Sequence, residues 1–203
     1  MVCPSRHNHQ MFCAVFCLAF ACFLHLGELT WEVQGANNML TVASVSFATD
    51  RSFTTVTILA SKTDPFQQGA TLTAPAVPLS TCTISTLQVV CRSWPSSTPL
   101  LILEGNRPFD RSSFVATLCQ CLVTCRVEPS AYSGHSFHCG VVTWAASNGI
   151  DNTTIRALGR WWSDCFRCYI DKSAANRATI TRVALYANTS APLLLDTIAW
   201  CDL

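Results

Sequence analysis

The sequence predicts an α+β fold, mainly helical, with one small antiparallel β-sheet. Three observations carry this. Met11 to Leu24 is an apolar run of fourteen residues without a charge. It is too short to cross a bilayer comfortably and suits a helix buried all round. Residues 40–47 and 53–59 alternate and are rich in β-branched side chains, the period-two signature of strands. The second half carries helix starts and stops: Asp110, Asn148-Gly149, Asp151 and Gly159.

In chain order, residues 1–9 read as an irregular start. A helix is expected from about Gln10 to Leu24, with Gly27 marking its end. Leu40–Phe47 and Phe53–Leu59 form two strands joined by a turn at residues 49–52. Ser61-Lys62-Thr63-Asp64-Pro65 is a second turn, because Asp-Pro breaks a ladder. Ala70–Ala74 completes the sheet. A helix follows from Thr83 to Trp94, then a loop through Pro95 and Pro99. Asp110 caps a helix running to about Cys125. His135–Ser147 is helical and closed by Asn148-Gly149. Asp151 caps a short helix ending at Gly159, and a last helix carries Tyr169.

Composition narrows the function. The chain has 203 residues, enough for one domain with a real core, and a formal charge of +1. No global basic field advertises nucleic acid, so a DNA-binding reading has to rest on motifs. Cysteine is abundant and odd in number, at 13. An odd count leaves a thiol over, and no paired Cys-x-x-Cys doublets occur. Most cysteines therefore read as small apolar fillers on helices in a reducing compartment.

The chemistry-bearing residues lie mainly in 133–169. They are Ser133-Gly134-His135-Ser136-Phe137-His138, then Leu158-Gly159-Arg160-Trp161-Trp162-Ser163-Asp164, then Tyr169. Phe23-Leu24-His25-Leu26-Gly27-Glu28 and the Lys62 turn precede them. In order and spacing these motifs resemble the catalytic motifs of tyrosine recombinases, the phage-integrase family of DNA breaking-rejoining enzymes. The likeness is nearest to recombinases of DIRS-type and Crypton-type mobile elements, and it runs from about residue 10 to Ile170.

The resemblance implies a set of roles. Tyr169 is the nucleophile, forming a 3′-phosphotyrosyl link. His135 opens the family's His-x-x-Arg motif. Lys62 is the turn lysine that serves as general acid. Trp161, with Arg160 one residue away as the alternative, fills the second His/Trp position. Glu28 supports the first arginine position from behind. Arg160 and Lys62 are the candidate DNA contacts. The implied partner is double-stranded DNA, with tetramers in active relatives. No cofactor, metal or small-molecule substrate is implied, and location is nuclear or cytoplasmic. Residues 10–172 would be the catalytic domain and 173–203 a tail, with the family's N-terminal core-binding domain absent.

Two departures matter. The first arginine position is His25 and the second is His138. Arginine offers a permanently charged fork that grips two phosphate oxygens. Histidine near neutral pH is mostly uncharged, with one donor per protonated nitrogen. The expectation is a recombinase domain impaired in catalysis, a degenerate mobile-element copy. Arginine codons mutate readily to His, Gln, Cys or Trp codons, and Gln67 and Cys168 fit that drift alongside the two histidines. Two other readings stay open. One is a zinc module using His135, His138, Cys139 and Cys165 or Cys168. The other is a small secreted or membrane-associated Cys-rich protein, with 11–24 as a signal segment and sequons at Asn152 and Asn188.

Overall fold

The structure is a computed structural model that describes residues 5–31, 39–59, 68–78, 81–92 and 94–170. These residues belong to one compact unit ending at Ile170. Lys62, Gln67, Asn188 and the segment 173–203 lie outside the described residues.

Helix α1 spans Arg6–Ala21 and is the axis of the core. Met11, Phe12, Ala14, Val15, Leu18 and Ala19 are all buried, a stripe at helical spacing. The helix starts earlier than the sequence predicts and stops before Leu24. Ser5 caps it, its hydroxyl accepting from the Asn8 N–H. His7 Nε2 meets the Ile102 carbonyl at 2.8 Å, and the Glu104 N–H donates to Asn8 Oδ1 at 2.8 Å. Partners more than ninety residues away thus order a start that looks irregular in sequence. At the other end Phe23 adopts φ +53°, a left-handed geometry that usually falls to glycine.

The sheet has the order β1-β2-β3, all antiparallel: Val45–Phe47, Phe53–Ile58 and Ala70–Pro75. β2 lies in the middle, with Val56 facing Val45 on one side and Leu72 on the other. Thr54, Val56, Ile58, Leu72 and Ala74 are buried, so one face of the sheet meets the core. The first strand is shorter than predicted, because residues 42–44 form a 3-10 turn. The turn between β1 and β2 is an Asx turn: Asp50 accepts from the Ser52 N–H and hydroxyl. Helix α2 (Thr83–Cys91) packs against α1 and ends short of Trp94. A small hairpin follows, β4 (Ile102–Leu103) with β5 (Arg107–Pro108), which the sequence reading missed.

Helix α3 (Arg111–Thr124) starts at Asp110, whose carboxylate accepts from the Ser113 N–H at 2.6 Å. Helix α4 spans Ser136–Ser147, and α5 spans Asn152–Leu158 with Asp151 as its cap. A 3-10 segment, Asp164–Tyr169, takes the place of the expected last helix.

Two apolar clusters result. The larger joins α1, the sheet, α2, α3 and the hairpin. The smaller contains Phe23, Val141, Val142, Ala145, Ile155 and Phe166, with Trp161 and Tyr169 packed against it. Cys22 and Leu24 belong to the larger cluster while Phe23 belongs to the smaller, so the clusters meet at the end of α1. A set of phenylalanines fixes α4 there: Phe16 stacks on Phe137 at 5.0 Å and meets Phe114 edge-on at 5.4 Å.

The run 11–24 is not buried all round as its sequence suggests: it buries one stripe and leaves Phe20 exposed, and no described helix is long and apolar enough to cross a membrane. The filler reading of the cysteines holds only for some. Cys22 and Cys82 are buried, but Cys125, Cys165 and Cys168 are exposed. Burial pushes the Cys22 thiol up to about 12.

Candidate active site

His25 leaves α1 just after the left-handed Phe23, and the next three residues close a 3-10 turn, Leu26–Glu28. Its backbone N–H donates to Glu28 Oε2 at 2.9 Å, which fixes where the ring emerges. Gly134 brings the loop before α4 against this turn. A Cβ there would overlap the tip of the Leu26 side chain, which would have to shift to admit it. His135 sits at the start of α4 and is exposed, whereas His138, one turn on, is buried with 1% of its surface accessible.

The three imidazoles form one cluster. His25 stacks on His138 at 3.7 Å, and His135 lies 5.8 Å from His25 and 5.5 Å from His138. Tyr169 joins them, its ring 4.9 Å from His135 and 5.4 Å from His138. Its position is set from behind: the Thr143 hydroxyl donates to the Tyr169 carbonyl at 2.8 Å. Burial raises the Tyr169 phenol above its ordinary value, and the thiols of Cys168, Cys165 and Cys139 push the same way.

Arg160 and Trp161 diverge because Arg160 takes φ +59°. Trp161 folds over Gly159, where a Cβ would collide with the indole. Its ring meets His138 at 4.8 Å and Tyr169 at 6.3 Å. Trp162 points away and is 84% exposed. Arg160 turns to the opposite side. One guanidinium nitrogen donates to both Glu28 oxygens, at 2.8 and 2.9 Å, and another to the Cys22 carbonyl at 3.3 Å. Glu28 is 2% accessible. The two residues between which the sequence could not choose thus do different things.

The cluster also contains residues that sequence reasoning missed. The Phe23 carbonyl receives His138 Nδ1 at 3.1 Å. A carbonyl only accepts, so Nδ1 carries the hydrogen and Nε2 is left as a lone pair. Nε2 is buried and has no hydrogen-bond partner among the described residues. Nothing in the sequence marked Phe23 for this, since its contribution is backbone geometry. Thr143 carried a weak signal, as a hydroxyl within an apolar helix.

His138 therefore presents a buried acceptor, and no donor, at Nε2. Burial lowers its pKa to about 3, and the neighbouring His25 and His135 act in the same direction. The consequence is testable. Between about pH 6.5 and about pH 3 the unfolded chain takes up a proton at this position that the folded chain refuses. Stability should fall as pH drops through that window, and His138→Gln should flatten this part of the profile. Urea midpoints measured across that range check it.

Tyr169, His135, His138, His25 and Trp161 thus meet in one place, with Glu28 and Arg160 behind them. Lys62 lies in sequence between the paired strands β2 and β3, outside the described residues. Among the described residues, no three His, Cys, Asp or Glu side chains are grouped so as to hold a metal ion.

No family model matches the sequence, and no curated protein sequence does. Solved structures do match. The XerH site-specific recombinase bound to palindromic difH substrate, in a post-cleavage complex, aligns with a TM-score of 0.64 at 8% identity, over 89% of this chain and 47% of XerH. The XerA recombinase aligns with a TM-score of 0.54 at 11% identity, over 88% and 57%. The Tn1549 transposon integrase, in complex with a circular intermediate DNA, aligns with a TM-score of 0.51 at 10% identity, over 83% and 57%.

The chain has the tyrosine-recombinase fold.

It spans about half the length of the recombinases it matches. At this identity the likeness is one of architecture: the recombinase-like domain is a mainly helical α+β unit with a small antiparallel sheet, as its sequence predicts.

Proposed function

We propose that this domain acts on double-stranded DNA by the breaking-rejoining chemistry of tyrosine recombinases, and that loss of two arginines has impaired it. Tyr169 is the nucleophile: its phenolic oxygen attacks a backbone phosphorus, the bond to the 5′-oxygen breaks, and a 3′-phosphotyrosyl link remains. The observation that carries this reading is the meeting of Tyr169 with His135 and His138, at 4.9 and 5.4 Å, within that fold.

The other residues take roles around it. His135 is the exposed imidazole next to the tyrosine and donates to a phosphate oxygen when protonated. Trp161 closes the cluster from the side of the Gly159 turn. Lys62 is the proposed general acid for the leaving 5′-oxygen. His25 and His138 stand at the arginine positions. Arg160 is tied up by Glu28 on the far side of the turn, so it shapes the site more than it faces DNA. Residues 10–172 make up the proposed catalytic domain, and assembly on DNA as a tetramer is part of the same proposal.

The test uses the full chain and a random-sequence pool of nicked suicide duplexes, in which cleavage releases a short strand and traps the covalent link. A slow, SDS-resistant adduct is expected, with the DNA attached at Tyr169 by peptide mass. Tyr169→Phe should abolish it. An adduct that persists in Tyr169→Phe, or maps to another residue, overturns the assignment.

A further inference from the structure

We infer that Cys165 and Cys168 form a thiol–disulfide exchange site, which closes into a Cys165–Cys168 disulfide by reaction with small-molecule disulfides of the glutathione class. The inference goes beyond the reading above, because it needs neither DNA nor attack by Tyr169.

The segment Asp164–Tyr169 leads to it. Cys165-Phe166-Arg167-Cys168 is the one Cys-x-x-Cys doublet in the chain. It lies wholly within that 3-10 segment. A 3-10 helix repeats every three residues, so side chains at i and i+3 stand one above the other. The segment therefore has three faces, each with two side chains. Asp164 and Arg167 share the first and form an ion pair at 3.0 Å. Phe166 and Tyr169 share the second and belong to the smaller apolar cluster. The third face holds Cys165 and Cys168, and both are exposed. The Cys168 thiol already turns back along this face, donating to the Cys165 carbonyl at 2.8 Å. Three residues at about 2.0 Å of rise put the two Cα atoms about 6 Å apart, within the range of about 4.4–6.8 Å that a disulfide spans. Two faces are thus committed to other contacts, and the third presents a pair of thiols to solvent.

Cys139 is the rival partner for Cys168. It lies on α4 one turn after His135 and one turn before Thr143, two of the residues that touch Tyr169. It is less accessible than the exposed pair, and burial raises its thiol pKa, with Cys168 acting in the same direction. The thiolate is the attacking species, so a buried, raised thiol is the poorer reactant.

The exchange takes two steps. The Cys168 thiolate attacks one sulfur of the small disulfide, whose S–S bond breaks and releases one small thiolate; a mixed disulfide remains. The Cys165 thiolate then attacks the Cys168 sulfur, the Cys165–Cys168 bond forms, and the second small thiolate leaves. The two cysteines give up two electrons to the small disulfide, and their two protons end on its two thiols. A reducing compartment keeps the pair open, and an oxidised disulfide pool closes it. Closure ties down the residue immediately before Tyr169.

The test uses the full chain, reduced and then equilibrated without oxygen at mildly alkaline pH in graded ratios of reduced to oxidised glutathione. Samples are quenched with acid, alkylated and mapped by peptide mass. At oxidising ratios the Cys165–Cys168 link should outnumber both the glutathione-capped forms of these residues and any Cys139–Cys168 link by about tenfold or more, because the second step is intramolecular. Excess dithiothreitol should return both thiols. Cys165→Ser should leave Cys168 capped by glutathione, and Cys168→Ser should leave Cys165 capped, with circular dichroism recording the fold of each. Should a variant not fold, the map of the unmodified chain decides alone. Persistent capping of both residues in that chain, a dominant Cys139–Cys168 link, or two thiols that do not react overturns the inference. The assay contains no DNA, so a Tyr169 adduct that never forms leaves its outcome untouched.

Discussion

Replacing His25 and His138 together by arginine should speed phosphotyrosyl formation by about 10²–10⁴-fold over the unmodified chain. Each restored charge-assisted hydrogen bond to phosphate is worth roughly 1.5–3 kcal/mol, and a decade in rate is about 1.4 kcal/mol. The structure adds a condition. The rings at these positions are stacked at 3.7 Å, so two guanidinium groups there repel until DNA supplies the counter-charge. The double variant should therefore melt lower than the original chain when free, and gain more in melting temperature when duplex DNA is added. Single-turnover adduct assays give the rate, and thermal melts with and without DNA give the coupling. A guanidinium introduced by His25→Arg would also compete with Arg160 for Glu28, so that single change should recover less than the pair. A double variant that folds, binds DNA and reacts no faster would overturn the proposal that histidine at these two positions impairs catalysis.

Breaking the Glu28–Arg160 pair should be strongly destabilising. Glu28→Ala leaves a guanidinium 17% exposed with its carboxylate gone. It also removes the acceptor for the His25 N–H. Loss of one partner from a buried ion pair costs about 3–5 kcal/mol. The surface pairs of Asp164 with Arg156 and Arg167 offer a contrast, because their side chains are between 43% and 57% exposed. Arg167→Ala should cost less than about 1 kcal/mol. Urea denaturation of the three proteins separates these cases, since the midpoint for Glu28→Ala should drop sharply with an unchanged slope. Replacing both partners by apolar residues, Glu28→Leu/Arg160→Met, should recover part of the loss. Equal midpoints for Glu28→Ala and Arg167→Ala would contradict this account.

Much of the fold was legible because its signals are local. Asp110 and Asp151 cap helices at the predicted places, since an aspartate before an apolar periodic run satisfies N–H groups within its own first turn. The β2 and β3 strands alternate, and the structure pairs them over their whole length. The errors arise where distant parts decide. Helix α1 begins at Arg6 because His7 and Asn8 find partners on the β4–β5 hairpin, and no local rule contains that contact. In the site, sequence singled out Tyr169 and His135, which the structure brings to 4.9 Å, but gave no hint of how His138 is seated. That seating depends on a carbonyl turned inward by a left-handed phenylalanine, which periodicity cannot reveal. The choice between Arg160 and Trp161 was undecided for a related reason, because one positive dihedral sends neighbouring side chains to opposite sides.

Phe23 packs with one apolar cluster while its neighbours on both sides pack with the other. Helix α4 spans the two clusters as well, and the oxygen that seats His138 rides on the Phe23 backbone where they meet. The imidazole trio thus behaves like a strain gauge glued across a seam. Loosening between the two clusters should disturb the hydrogen bond that seats His138.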